Sequence, residues 1–395
     1  MNDAERDHQG QSIPLSRRDA LRRSATLALG AVALPVGPAR AQTRASAERR
    51  TRLSVRPDGA YDRVPLRKDE IAISAIQSRL LAVDPKNPKP GLKVNLDHLL
   101  DQLDAVNTYF GRKDLVAFHQ FLLQGWDRWD RVSMERIALD LDGDEIAAIA
   151  KKAREYGCYV ATGGYFRDPE WPGHLIDMMI LISPEPGSSS PIIAKHWRAR
   201  HVRNEVDGSD YFTTCVYDVL DAYREMYGED AVIPVARTPI GNIAMTSVFR
   251  EPELLRCMAL KGAEIVVRSA LGGYTFEEGV IMSRVNRSFT LFVSNALSPG
   301  NKSYFADNGF LGRTAIFDQR GRVLADTDKH ETAVNATIEI GRARRLPRIP
   351  DVPWELYAPI FAAYTPPFPP NLYKERLPTS LSDAAALVQK NKRWP

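Results

Sequence analysis

The stretch GNIAMTSVFREPELLRCMALKGAEIVVRSA, residues 241–270, decides the fold. Residues 241–248 are apolar and extended in character. Pro252 suits the first turn of a helix, where its missing N–H would be unpaired in any case, so a helix starts near Glu251. Leu254, Leu255, Met258 and Ala259 recur at helical spacing and form one buried stripe, and Gly262 can take the left-handed conformation that ends it. Residues 263–267 then read as a buried strand. The order is strand, sharp turn, helix, strand, and positions 246–248 lie at the turn.

Working outward, residues 71–82 (IAISAIQSRLLA) read as another buried strand. Residues 95–111 (NLDHLLDQLDAVNTYFG) follow with Leu96, Leu99, Leu100, Leu103, Val106 and Phe110 on one helical face, Asn95 as the expected cap and Gly111 as the stop. The pattern continues with a strand at 114–123 and a helix at 144–156 closed by Gly157. Strands at 158–165, 176–183 and 191–198 come next. Strands that first alternate with helices and then run consecutively suggest two sheets faced by helices. After Ile340 the chain turns rich in proline and aromatic residues, which argues against a regular sheet and predicts an extended tail. Trp354, Tyr357, Phe361, Tyr364 and Phe368 would be a large apolar liability in solution, so the tail is expected to pack on its own body or on a second copy in a homo-oligomer.

A chain of 395 residues, 44% hydrophobic and 26% charged, can bury a sizeable core. Its 53 basic residues against 49 acidic ones leave a net charge of only +4. No long basic run or interleaving of basic and aromatic residues exists, which argues against nucleic acid as a partner. Cys158, Cys215 and Cys257 make no disulfide framework, and no Cys-x-x-Cys or His-Glu-x-x-His spacing points to a metal. No cofactor is expected.

The first 41 residues differ in kind. Arg17 and Arg18 precede an apolar run at 24–37, and Ala39-Arg40-Ala41 fits a small-x-small cleavage site. This looks like a twin-arginine signal peptide, with periplasmic localisation expected. About 14 apolar residues fall short of the roughly 20 needed to span a bilayer, so no stable membrane insertion is expected after cleavage. Residues 42–67 are polar and aperiodic and read as a linker, with order expected from Ile71.

PELLRCMALKGAEIVVRSA (252–270) resembles the segment that follows the nucleophilic cysteine in carbon–nitrogen hydrolases of the nitrilase superfamily, especially the aliphatic amidase and formamidase branch. The resemblance extends through Asn295 and Ala296 to GRTAIFDQRGRVLADTD (312–328). It covers about one domain, residues 68–345, and implies a four-layer αββα sandwich of α/β class, followed by the tail at 346–395. It also implies a glutamate base, a lysine and a cysteine nucleophile.

All three positions differ here. Aligned on Pro252-Glu253 the cysteine position holds Thr246, next to Ser247; aligned on Gly241 it holds Val248. Cys257 matches a non-catalytic position of the amidases. The family's Phe-Pro-Glu meets Phe118-His119-Gln120, and an amide accepts no proton at any accessible pH. The Lys-Tyr-Arg-Lys pattern meets Lys195-His196-Trp197-Arg198. Arg198 keeps the charge and could hold an oxyanion or carboxylate, but its pKa prevents proton shuttling. His196 shares Arg198's face of the strand, whereas His119 alternates away from Gln120.

The resulting expectation is an exported pseudoenzyme. A small polar or amide-bearing ligand would sit between Gln120, Arg198, Thr246 and Ser247, with Arg250 as an anion contact. One alternative is an active amide hydrolase that uses Ser247 or Thr246 with His196. Another is a structural or assembly protein acting through its tail.

Overall fold

The computed structural model describes residues 51–185, 190–201, 212–248, 250–269, 271, 276–301 and 313–394. The chain divides into two units, 1–47 and 48–395, and every described residue lies in the second. The expected signal peptide lies outside the described residues.

In chain order the elements are β1 (Ile71–Gln77), α1 (Pro88–Tyr109), β2 (Leu115–Gln120), α2 (Arg131–Ile137), β3 (Leu139–Asp140), α3 (Asp144–Tyr156), β4 (Tyr159–Arg167), β5 (Leu175–Ile182) and β6 (Ile192–Trp197). Then come β7 (Thr213–Thr214), α4 (Leu220–Tyr227), β8 (Ala236–Thr238), β9 (Gly241–Thr246), α5 (Pro252–Leu260), β10 (Ile265–Ser269), α6 (Phe276–Asn286) and β11 (Phe289–Val293). The chain closes with β12 (Ala315–Phe317), β13 (Val323–Asp326), β14 (Thr332–Ile338), α7 (Ile340–Arg344), α8 (Trp354–Ala363) and α9 (Leu381–Lys390).

Sheet one runs β14-β1-β2-β4-β5-β6, with β3 on β4 and β7 on β5; sheet two runs β13-β12-β11-β10-β9-β8. The β1–β2 and β2–β4 pairs are parallel, as are β9–β10 and β10–β11. Strand alternation explains why these runs are apolar throughout. Ile71, Ile73 and Ala75 of β1 meet Ile243, Met245, Ile265 and Val267 of sheet two in one buried layer. Ile76 turns the other way, into the layer that holds Leu99, Leu103 and Val106 of α1 and Ile146 and Ile149 of α3. On the far side, Leu254, Leu255 and Met258 of α5 pack on Ala244 and Val266. Both faces of each sheet are covered, so the four-layer αββα sandwich is the observed architecture.

Three local expectations are corrected. Asn95 is not a cap: the helix begins seven residues earlier at Pro88, and the buried Asn95 amide donates to Leu81 O at 2.9 Å and Leu123 O at 2.8 Å. Residues 51–67 are tied to the body rather than linking to it. Ser54 N–H donates to Asp230 at 2.7 Å, Arg67 N–H to Pro239 O at 2.9 Å, and the Tyr61 hydroxyl to Glu264 at 2.8 Å. The tail carries two helices, α8 and α9: Pro353 is the N-cap of α8, and Ser380 caps α9 through Asp383 N–H at 3.1 Å. Pro359 does lie inside α8.

Glu264 anchors the N-terminal segment, sheet two and α7 together. It is 0% exposed and accepts from Tyr61, from Asn242 N–H at 2.7 Å, and from both Nε and Nη2 of Arg344 at 2.8 and 2.9 Å. Burial opposes its ionisation, but the Arg344 fork, the charge of Arg348 and the Asn242 N–H outweigh burial and hold the carboxyl below the usual range. A depressed folded pKa gives stability that is present above the unfolded pKa and lost as pH falls through the folded one. Glu264→Ala leaves Arg344 buried without its counter-charge and should lower the unfolding free energy by about 3–5 kcal/mol, read from urea midpoints at unchanged slope. A loss under about 1 kcal/mol, the range of an exposed pair, would show that this carboxylate anchors nothing.

Candidate functional site

Gln120 ends β2, and the next residue, Phe121, has a left-handed φ of 64°, so the chain turns sharply there. A non-glycine residue in that conformation is held by its surroundings, here by the ring of Tyr165 at 4.4 Å between centroids. Gln120 N–H donates to Ser269 Oγ at 2.9 Å, joining the ends of β2 and β10 across the two sheets. The Gln120 side chain is 5% exposed, and its Oε1 is buried and accepts no hydrogen bond. Gly163 sits opposite in β4; a Cβ there would lie 2.7 Å from Met178 O and 3.2 Å from Gln120 Cβ, so the glycine leaves room beside the amide. His119 is fully buried between the carbonyl oxygens of Gln120 at 2.6 Å and Ser78 at 3.1 Å.

Three positions align in register from Gly163 through Met179 to His196. The His196 ring is buried and accepts the Met245 N–H through Nδ1 at 3.3 Å, linking β6 to β9. Burial is the main cause that depresses its pKa to about 3, and the charge of nearby Lys261 adds to the effect. The ring is neutral at physiological pH and a weak base. Arg198 follows β6 and is 7% exposed; its Nη1 lies 3.2 Å from Asp177 Oδ2 in β5, a carboxylate 1% exposed. The positive charge expected at this position is therefore engaged by a buried partner. Asp177 was missed in the sequence, where the signal was a lone acid in the otherwise apolar run LIDMMILI.

At the end of β9, Thr246 Oγ1 accepts the Val248 N–H at 3.1 Å, forming a local turn. Ile243 and Met245 face the layer between the sheets and Ala244 faces α5, so Thr246 falls in Ala244's phase and Ser247 in Met245's. Thr246 and Ser247 are 6% and 5% exposed. Arg250 is exposed, with φ 54°, and its N–H points to Glu278 Oε1 of α6 at 3.4 Å. Its backbone therefore sits against the helical layer. Gln120 and Ser269 meet where β2 and β10 end, whereas His196 and the Arg198–Asp177 pair lie on the β5–β6 side of sheet one, β6 being three strands from β2. Thr246 is the register partner of Arg268 on the other face of sheet two.

Neither Cys158 nor Cys257 is an activated thiol. Burial pushes Cys158 up to about 12 and raises Cys257, which lies within α5. Among the described residues His201, Cys215 and Asp218 bring one ligand atom each within 4.8 Å of one another. Internal hydrogen bonds account for this group. Asp218 accepts from Cys215 Sγ at 3.0 Å and from Cys215 N–H at 3.1 Å as the cap of a short helical turn.

The carbon-nitrogen hydrolase family profile matches residues 80–348, and the chain belongs to that family. The fold is similar to a double mutant of the amidase from Nesterenkonia sp. AN1 solved with acrylamide. That likeness has 13% identity and a TM-score of 0.53, and it covers 76% of this chain and 100% of that one. It is also similar to Nit3 of Saccharomyces cerevisiae, a member of branch 10 of the nitrilase superfamily, at 14% identity and a TM-score of 0.55, over 72% and 96% of the two chains. The C. elegans NitFhit protein matches at 14% and 0.54, over 76% and 66%. No curated protein matches the chain. At these identities the likeness is one of fold.

His196 makes a pH prediction. Its folded pKa lies below the ordinary histidine value, so its contribution to stability is full above about pH 6.5 and is lost as pH falls toward about 3. In His196→Asn the acid-side dependence of the urea midpoint between about pH 7 and about pH 4.5 should correspond to about one proton fewer. An unchanged slope would mean that the ring titrates normally in the folded protein.

Proposed function

We propose that this amidase-like member of the nitrilase superfamily binds a small amide-bearing ligand without hydrolysing it. The observation that carries the reading is the buried Gln120 Oε1 without a hydrogen-bond partner, which an amide N–H of a ligand would satisfy. The counterparts of the family's glutamate, lysine and cysteine are Gln120, Arg198 and Thr246. Gln120 cannot act as a base, Arg198 is paired with Asp177 and Thr246 Oγ1 serves its own turn. His196 offers no base of suitable strength. Neither Gln120 nor His196 is therefore a base suited to activate a hydroxyl at Thr246 or Ser247.

Wild-type protein should release no ammonia above background from formamide or short aliphatic amides, and thiol alkylation should change nothing. Restoring the family's groups one at a time, by Gln120→Glu, Arg198→Lys or Thr246→Cys, should also give almost nothing, because such groups act as a unit. Ammonia release by wild type that is abolished in a folded Ser247→Ala variant would establish a hydroxyl mechanism instead.

The reading includes export to the periplasm by the twin-arginine route, supported by Arg17, Arg18 and the following apolar run. It also includes self-association through the tail. No residue of α8 is buried, and Leu356 and Ile360 are 67% and 69% exposed beside Trp354 and Phe361. An apolar helix with no covered face suits contact with a second copy. Leu356→Glu with Ile360→Glu should lower the particle mass in multi-angle light scattering while leaving the circular dichroism spectrum intact. The same mass for wild type and variant would remove α8 from any interface.

A further inference from the structure

A cleft of about 530 Å³ lies beside the C-terminal end of α6 and the β12–β13 turn. The β12 strand leaves the N-terminal end of β11, so this is the opposite end of sheet two from Thr246. Among the described residues five arginines line it, Arg284, Arg287, Arg320, Arg322 and Arg348, and no carboxylate does. It shares Arg320 and Arg322 with a neighbouring cleft of about 360 Å³, to which Arg342, Asp318 and Glu339 also contribute. Among the described residues six arginines thus face two acids. That local excess equals the formal net charge of the whole chain, +4.

The two acids are already engaged. Asp318 Oδ1 accepts the backbone N–H groups of Arg320 and Arg322 at 2.8 and 2.9 Å, and Glu339 pairs with Arg342 at 3.1 Å. A bland explanation covers part of the cluster, since Arg284 in the last turn of α6 complements the helix dipole. It does not cover Arg348, which is 5% exposed and spends one donor on Ala263 O at 2.6 Å while its Nε and Nη1 are buried without hydrogen-bond partners. Glu264, the acid whose charge reaches Arg348, is held by both donors of the Arg344 fork. Arg348 therefore adds positive field from the floor of the cleft.

The rim is held in place. Gly321, between Arg320 and Arg322, has φ 75°, and a Cβ there would lie 2.6 Å from Val280 O of α6, so the turn sits directly on the helix. Exposed guanidinium forks on a pinned turn, over a buried cation and in excess of the nearby acids, match the oxygens of a phosphate-type anion. The volume is that of a small-molecule site and exceeds what a single phosphate needs.

We propose that this cleft binds a small, multiply charged phosphate-type oxyanion, at a site separate from Gln120 and Arg198. Titration calorimetry with tripolyphosphate as the probe should show saturable binding of about one anion per chain, weakening as salt rises. Arg320→Gln with Arg322→Gln should raise Kd at least about tenfold, each exposed fork having supplied charge-assisted bonds. Arg348→Met should do the same, and if that variant fails to fold the exposed double variant still decides. Arg345→Gln is the control: it is an exposed arginine paired with Asp69 and does not line the cleft, so Kd should not move. Absence of saturable binding, or equal weakening by Arg345→Gln, overturns the proposal. Vesicles containing phosphatidic acid separate two sources of the same chemistry: displacement of tripolyphosphate assigns the site to a lipid headgroup, and retention assigns it to a free anion.

Discussion

The apolar layer shared by the two sheets constrains everything near the candidate site. Ile73, Ala117, Met179, Ile243 and Val267 fill it, and His196 and the Arg198–Asp177 pair are polar groups set beside them. A cation brought there must be paired, because desolvating an isolated guanidinium costs several kcal/mol even after relaxation. Arg198 meets this demand with Asp177, and the pair is nearly inaccessible to water. A lysine in the same place could have been tuned or shifted; an arginine locked to an aspartate stays charged and stays put.

The same layer sets the character of the neighbouring groups. His196 is neutral because it lies within the sandwich, so its proximity to Arg198 in sequence does not make it a base. Gln120 can sit at the edge because it carries no charge, and its backbone is fixed by Ser269 while its side-chain Oε1 stays unused. In the proposed function an amide stands here for the family's carboxylate, so a proton acceptor is lost and a neutral hydrogen-bonding group supplied. Under the proposed reading, that exchange converts acyl-transfer geometry into recognition geometry.

Much of this was legible in the sequence because buried strands and amphipathic helices write themselves as apolar periodicity. The α3 helix ends at Gly157 as its left-handed conformation requires, and α5 begins at Pro252. The failures have physical causes. Asn95 resembled a cap by residue type, but its amide bridges two carbonyls inside the fold, a tertiary role that local pattern does not encode. Residues 51–67 looked like a linker because their anchors are single polar contacts, such as Tyr61 to Glu264, made over long sequence separations. Asp177 and the arginine cleft were hidden for the same reason. Their meaning arises only when β5 meets β6, or when α6 meets the β12–β13 turn.

The central claim, recognition of an amide without chemistry, is tested most directly by binding. Titrating propionamide into wild-type protein and into Gln120→Ala, while assaying ammonia in the same samples, separates the two events. The account predicts saturable binding by wild type, loss of that binding in Gln120→Ala, and no ammonia in either. Ammonia accumulating with wild type at the concentrations that saturate binding would contradict it.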